Sequence, residues 1–325
     1  MSKIPEKLGA NYYRSFLTEQ GKYFYDCIVK QLLQKDYSGV TSFTIAEQSM
    51  ETSDCFAAYK AIRDDHPEFF FLGYQCEFTR IGNRGELKYS VLYDADIITR
   101  IRCQLRKTIY NIVRGTASLP ILEREIVVYE RIARKLSYAN HGDVRDHNIV
   151  GPCLLSSGVC EGHNALLLLC LRRVGISCIK VYGKTKSDGW HCWTVAWIHG
   201  KPVHCDVTWD CNKNGIICFN YLNLSDRQIA LNHFSFKNSY TPKCVSEEFS
   251  YYRYKGLCIN SRFDLCKKLI ETKNLKIPLL VHLNYLSKAE ELTTELVNAM
   301  KEARITGNYS IQECSELRNV LVLMI

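Results

Sequence analysis

Residues 165–171 read ALLLLCL, the longest strongly apolar run in this 325-residue chain. A run of that length falls far short of a bilayer span, which needs about 20 residues. It reads instead as the body of a helix that begins near Cys160 and ends by Gly175. Short β-candidates follow at 177–182, 191–198, 203–208 and 217–220. Residues 225–233 read as one short helix with Ser225 as its N-cap. A helix feeding a run of strands is therefore the pattern at the centre of the chain.

The flanks have different rhythms. Residues 11–66 read as helical, and 69–72, 75–80 and 87–92 are β-rich, with a hairpin turn expected at 82–85. Helices are expected over 95–114 and 121–138, separated by Gly115 and Pro120, and 139–159 reads mostly as loop. From Tyr251 onward the pattern is helix 262–273, strand 277–285, helix 288–303 and strands 308–313 and 317–325. The expected organisation is a helical N-terminal region with a small β-hairpin over 1–138, a core over 139–250 and a small α/β unit over 251–325.

Composition narrows the function classes. The 46% hydrophobic content excludes wholesale disorder. The 16 cysteines include no C-x-x-C pair, so a structural zinc site is not expected. Residues 1–10 offer no apolar core for a signal peptide, which points to a reducing cytoplasm and free, mostly buried thiols. Of the net charge of +8, residues 97–138 carry most, with nine basic residues against three acids. Their helical periodicity, with no zinc-finger, RNP-like or aromatic-interleaved basic motif, reads as the solvated face of two packed helices and not as a nucleic-acid surface.

The chemistry concentrates in three clusters. Gly158-Val159-Cys160-Glu161-Gly162 stands immediately before the apolar run. A cysteine in the first turn of a helix has backbone N–H groups and the positive dipole end near its sulfur, and both favour the thiolate. The flanking glycines are expected to clear space for a substrate backbone. His191-Cys192-Trp193 lies in a strand candidate, and His204-Cys205-Asp206-Val207-Thr208-Trp209-Asp210 lies in the next. A four-residue hairpin loop at 197–200 would set Ala196 opposite Lys201 and so His191 opposite Asp206, on one face and in contact. That arrangement gives nucleophile Cys160, base His191 and orienting acid Asp206. His204 and Asp210 are the rival base and acid. Trp193 and Trp209 read as packing, Glu161 as a first-turn residue, and His163 as a neutral histidine.

In that order, GVCEG at 158–162, HCW at 191–193 and DVTWD at 206–210 resemble the core of the transglutaminase-like superfamily. The loop at 147–151 and the segment from Asn220 to His233 resemble bacterial members. The resemblance implies an α+β fold of the papain-like kind, a nucleophile helix packed on an antiparallel sheet. It assigns the nucleophile to Cys160, the base to His191 and the acid to Asp206. It implies a thiol-dependent acyl transfer through a thioester, as a cysteine peptidase or amidase, with a transglutaminase using an amine acceptor as the alternative. Cys192 and Thr194 stand where the family commonly has Ala and Asn, and Pro202-Val203 where an aromatic pair is common. A non-catalytic binding or scaffold protein is the competing class. The expected partner is a protein or peptide substrate, with no nucleic acid, no membrane, no metal and no cofactor; the oligomeric state is left open.

Overall fold

The computed structural model describes residues 6–45, 52–186, 189–211, 217–237, 240–272, 279–286, 291–305, 310–313 and 320–324. Parts of several expected elements, among them 1–5, 273–278, 288–290, 308–309 and 314–319, lie outside the described residues.

The N-terminal region pairs α1 (Glu19–Leu33) with α2 (Thr52–Asp65). Thr18 caps α1 by accepting from the Gly21 N–H, and Phe24, Tyr25, Ile28 and Leu32 form its buried stripe. The expectation of an all-helical 11–66 is corrected by β1 (Val40–Thr44), whose alternating burial fits a strand. It pairs antiparallel with β3 (Arg84–Val91), which also pairs with β2 (Leu72–Ile81), giving a three-stranded sheet in place of an isolated hairpin.

Next come α3 (Ala95–Val113) and α4 (Ile121–Lys135). Much of the basic charge on these helices is engaged internally. The Arg131 guanidinium donates to Ile112 O and Arg114 O at 2.7 and 2.8 Å, satisfying carbonyls at the end of α3. Arg124 donates to Val174 O at 2.8 Å, at the end of the helix that follows. The chain then makes β4 (Ser137–Tyr138), a π-helical turn at Gly151–Leu155 and β5 (Ser157–Gly158), with β4 and β5 paired in parallel.

Helix α5 (Cys160–Arg173) is the axle of the molecule. Leu166, Leu167, Leu168, Cys170 and Leu171 are all buried, so it is apolar nearly all round, as a central helix must be. It packs on β7 of an antiparallel sheet ordered β10-β6-β7-β8-β9. These strands are β6 (Cys178–Thr185), β7 (Trp190–Ile198), β8 (Lys201–Cys205), β9 (Leu222–Leu224) and β10 (His233–Phe234). Between β8 and β9 sits the one-turn α6 (Val207–Asp210), and α7 (Asp226–Ile229) follows with Ser225 in a capping box. The expected strand over 203–208 thus stops at Cys205, and the strand expected at 217–220 lies instead at 222–224. The fold is α+β, with the helix that starts at Cys160 laid on an antiparallel sheet.

The hairpin register also differs from the sequence expectation. Ile198 pairs with Lys201 and Ala196 with Val203, so the loop is the two residues His199 and Gly200, both at positive φ (48° and 79°). Such a turn matches the twist of the flanking strands. The pairing is shifted by two residues from the four-residue-loop version, and a shift of two leaves every side chain on its original face.

The C-terminal unit comprises α8 (Tyr251–Tyr254), β11 (Cys258–Ile259), α9 (Arg262–Thr272), β12 (Leu279–Leu283), α10 (Leu292–Glu302), β13 (Ser310–Glu313) and β14 (Val320–Met324). Its sheet is ordered β11-β12-β14-β13. Leu265, Leu269, Val281, Leu283, Leu292 and Leu296 form a core separate from the main one. Among the described residues no helix is long and apolar enough to cross a membrane. Among the described residues fourteen cysteines are free and eight of these are buried, in keeping with their use as small hydrophobes. Cys218 is disulfide-bonded, which corrects the expectation that every thiol is free.

Candidate active site

The first position of α5 carries Cys160, with extended Val159 before it. The glycines around it serve a purpose other than the one expected. A Cβ on Gly162 would lie 2.7 Å from Asp146 O and 2.9 Å from Asn148 O, and one on Gly158 would lie 3.0 Å from Asp146 O. These glycines let the 143–152 loop close onto the start of the helix, so the constraint is internal packing and not substrate approach. Val159 N–H donates to Asp146 O at 3.0 Å, and Glu161 Oε2 accepts from Tyr74 Oη at 2.5 Å and lies 3.1 Å from His147 Nδ1. The first turn of α5 is thereby tied to the N-terminal sheet and to the loop beside it.

β7 brings His191 to this turn. Its Nε2 lies 2.6 Å from Asp206 Oδ2, which leaves Nδ1 as the ring nitrogen free for the sulfur. Asp206 stands one residue beyond β8 as the N-cap of α6, with Oδ1 accepting from Thr208 N–H at 3.0 Å. The two-residue register shift makes His191 and Asp206 diagonal neighbours where direct opposition was expected, and because the face is conserved their contact survives. The same Oδ2 also binds His233 Nε2 at 2.9 Å, so two histidines share one carboxylate. Asp206 is 1% exposed and His191 8%, so their ion pair is poorly screened.

Charge states follow from these contacts. The Cys160 thiol is drawn down to about 5 by a hydrogen bond from the Cys192 side chain, against the opposing effect of burial, and by the hydrogen bond and charge of His191. Burial would lower the His191 imidazole, but the Asp206 charge and hydrogen bond and the Cys160 sulfur carry it up to about 10. Burial likewise opposes ionisation of Asp206, yet His191 and His233 hold it well below the usual carboxylate range. Both shifts favour a thiolate beside an imidazolium at neutral pH.

The rivals are occupied elsewhere. The Trp193 indole Nε1–H donates to His204 Nδ1 at 3.0 Å, which puts the ring proton on Nε2, 2.9 Å from Asp226 Oδ1. Fully buried behind Trp193, His204 supports that ring and does not face the sulfur. Trp193 in turn stacks on His191, with centroids 5.9 Å apart, and Gly183 leaves room for its ring, since a Cβ there would lie 2.7 Å from it. Asp210 accepts from Tyr129 Oη and from the backbone N–H groups of Asn220 and Tyr221, each at 2.8 Å, and so clamps the chain leading into β9. His163 is buried within α5, and burial lowers it to about 4, the neutral state expected.

Among the described residues two groups offer three ligand atoms close enough together for a metal, namely His191, Asp206 and His233, and His204, Asp226 and Cys244. In the second, both His204 nitrogens are committed as described, and in the first the carboxylate already unites the two imidazoles. The donor sets fit hydrogen-bond networks better than a metal centre. His233 was not singled out from sequence, because no motif spacing links it to a residue 27 positions earlier.

The sulfur opens into a cleft of about 370 Å³ lined by Tyr138, Asn140, His147, Trp190 and Tyr182 together with Cys160, Glu161, His191 and Cys192. Trp190, 76% exposed, and Tyr138, 60% exposed, present aromatic faces at its mouth.

No protein-family model matches this chain, and no curated protein sequence matches it. Among solved structures, the chain is similar to a TGase, at 10% identity and a TM-score of 0.31, over 52% of this chain and 51% of that one. It is also similar to a candidate cysteine protease from Cytophaga hutchinsonii, at 14% identity and a TM-score of 0.29, over 44% of this chain and 64% of that one. The chain thus spans about half the length of the first of these and less than two thirds of the second.

Proposed function

We propose that this chain is a thiol-dependent acyl-transfer enzyme acting on peptide or amide bonds, with water as the usual acceptor. The observation that carries this reading is the His191–Asp206 pair at 2.6 Å next to a partly exposed Cys160 whose thiol is drawn down to about 5. Cys160, His191 and Asp206 take the roles of nucleophile, acid–base and orienting carboxylate.

In this mechanism the Cys160 thiolate attacks the substrate carbonyl carbon. The Cys160 backbone N–H, at the first position of α5 and without an intrahelical acceptor, faces the developing oxyanion. The His191 imidazolium gives its proton to the leaving amine, and the C–N bond breaks to leave a thioester and a neutral imidazole. That imidazole then removes a proton from water, which attacks the thioester and releases the acid and the thiolate. Asp206 keeps the ring oriented and stabilises its charged form throughout. An open cleft admits water directly, which favours hydrolysis; an amine reaching the same thioester would make the enzyme a transglutaminase.

Incubation with a mixed peptide library, read by mass spectrometry, tests the proposal. Cleaved or deamidated products should form with the native chain and be absent with Cys160→Ala. A dose of a simple primary amine sorts the two acceptors, because amide-linked adducts would appear in place of acids. No turnover of any peptide, with Cys160 fully reactive toward alkylating agents, would instead support a binding protein built on an intact site.

A further inference from the structure

We propose that Cys160 and Cys192 form a site of reversible oxidation, in which a sulfenic acid made on Cys160 by peroxide is captured by the Cys192 thiol as an intramolecular disulfide. The proposal rests on Cys160 being the thiolate of the site, but not on any substrate being turned over.

The placement of Cys192 follows from strand alternation. Along β7, His191 and Trp193 share the face that meets Asp206, His204 and His233. Cys192 and Thr194 share the other face, where Thr194 Oγ1 accepts from Asn164 Nδ2 of α5 at 2.9 Å. Cys192 therefore points at the start of α5. Cys192 lines the same cleft as Cys160, on the strand that α5 packs against, and its side chain and backbone N–H both help draw the Cys160 thiol down. Among the described residues, Cys160 and Cys192 are the two cysteines that line the cleft. Cys192 is 1% exposed, so Cys160 is the sulfur within its reach while external thiols and oxidants are kept away.

The chemistry is ordered by charge. The Cys160 thiolate attacks peroxide, the O–O bond breaks, and the released hydroxide takes a proton from His191 to leave as water. Cys160 is now a neutral sulfenic acid. Until that moment the hydrogen bond with Cys160, then burial, then the Cys160 charge hold Cys192 as a thiol. Oxidation removes the Cys160 charge; of the charges that remain, Lys180 favours the Cys192 thiolate and Glu161 opposes it. Cys192 sulfur then attacks Cys160 sulfur, the S–O bond breaks, and the Cys192 proton leaves with the hydroxyl as a second water. A dithiol reverses the step by exchange, returning two thiols and becoming a disulfide itself. The pair would thus spare the nucleophile from irreversible oxidation.

The test uses the full chain, hydrogen peroxide and intact mass with peptide mapping under non-reducing conditions. The native chain should lose two hydrogens, link the Cys160 peptide to the Cys192 peptide, and regain iodoacetamide labelling at Cys160 after dithiothreitol. Cys192→Ala and Cys192→Ser should instead gain two or three oxygens at Cys160 and fail to regain labelling. Both variants are first required to alkylate at Cys160 before oxidation, which shows that they fold. If the native chain accumulates oxygens on Cys160 as the variants do, or links Cys160 to another cysteine, the proposal is overturned. Disulfide formation without peptide turnover would uphold it while removing the hydrolase reading, so the two can fail separately.

Discussion

The single contact on which the proposed chemistry depends is the carboxylate of Asp206 against the His191 ring. Replacing it by the neutral amide, Asp206→Asn, removes the charge that raises His191 and so the imidazolium that stabilises the thiolate. Iodoacetamide labelling of Cys160 near pH 6 should then slow by on the order of a hundredfold, as loss of an orienting group commonly does. His204→Asn is the matched control. It disturbs packing behind Trp193 but leaves the sulfur's own contacts in place, so its effect on labelling should stay within about threefold while its thermal midpoint falls. At this scale the sequence was most informative for residues inside compact motifs. Cys160, His191 and Asp206 announced themselves because each sits in a recognisable cluster. His233 shares Asp206 without any such cluster, because a contact made across the sheet leaves no spacing to read. The role of Gly162 was misjudged for a related reason, since the atoms that demand it belong to a loop more than ten residues earlier.

Among elements, the start of α5 depends on close approach of the 143–152 loop. Gly162→Ala places a methyl 2.7 Å from a backbone oxygen, which cannot be relieved by a side-chain rotation. The expected cost is about 1–3 kcal/mol of stability from overpacking, measured by denaturant unfolding, together with slower labelling of Cys160 as the helix terminus shifts. Helix α5 and strands β6 and β7 were legible because apolar periodicity and β-branched content are local properties. β1 was not, since five residues between two helices become a strand only through pairing with β3. The hairpin register missed by two residues because His-Gly is a less evident two-residue turn than Asn-Gly. The expected contact between His191 and Asp206 held because sheet faces repeat every two residues.

The whole molecule buries titratable groups away from the site, and these set its response to pH. Glu125 is fully buried under the sheet, where Asn223 Nδ2 donates to Oε2 at 2.8 Å, and burial pushes its carboxyl up to about 7. An unfolded glutamate ionises near about 4.3, so the unfolded chain releases this proton first. The Glu125 contribution to stability is therefore present at acid pH and is lost as pH rises toward 7. Glu125→Gln should be more stable relative to the native chain at pH 8 than at pH 5, read as the difference in thermal midpoints. His191 follows the same sign from a different cause: against burial, the Asp206 charge raises its imidazole, so its contribution is full below its unfolded value and is lost as pH climbs through about 10. At this scale the change in rhythm near Tyr251 is followed by a second apolar cluster, built from residues between Ile259 and Met300. The boundary itself is blended, because Tyr251 stacks on Phe219 with centroids 4.0 Å apart and so contacts the main core. A chain ending after Gly256 should keep rapid Cys160 labelling, whereas one ending before Tyr251 should lose thermal stability.

The central claim is that Cys160 is a thiolate held by an imidazolium at neutral pH, and site-resolved alkylation kinetics test it most directly. Iodoacetamide labelling of each free cysteine, followed by peptide mapping from about pH 5.5 to 9, separates an activated thiol from ordinary ones. Cys160 should label fastest, with a rate nearly flat from about pH 6 to 9, and this advantage should vanish in His191→Ala. A Cys160 rate that instead climbs about tenfold per pH unit up to about pH 8.5, alongside the other exposed thiols, would contradict the account.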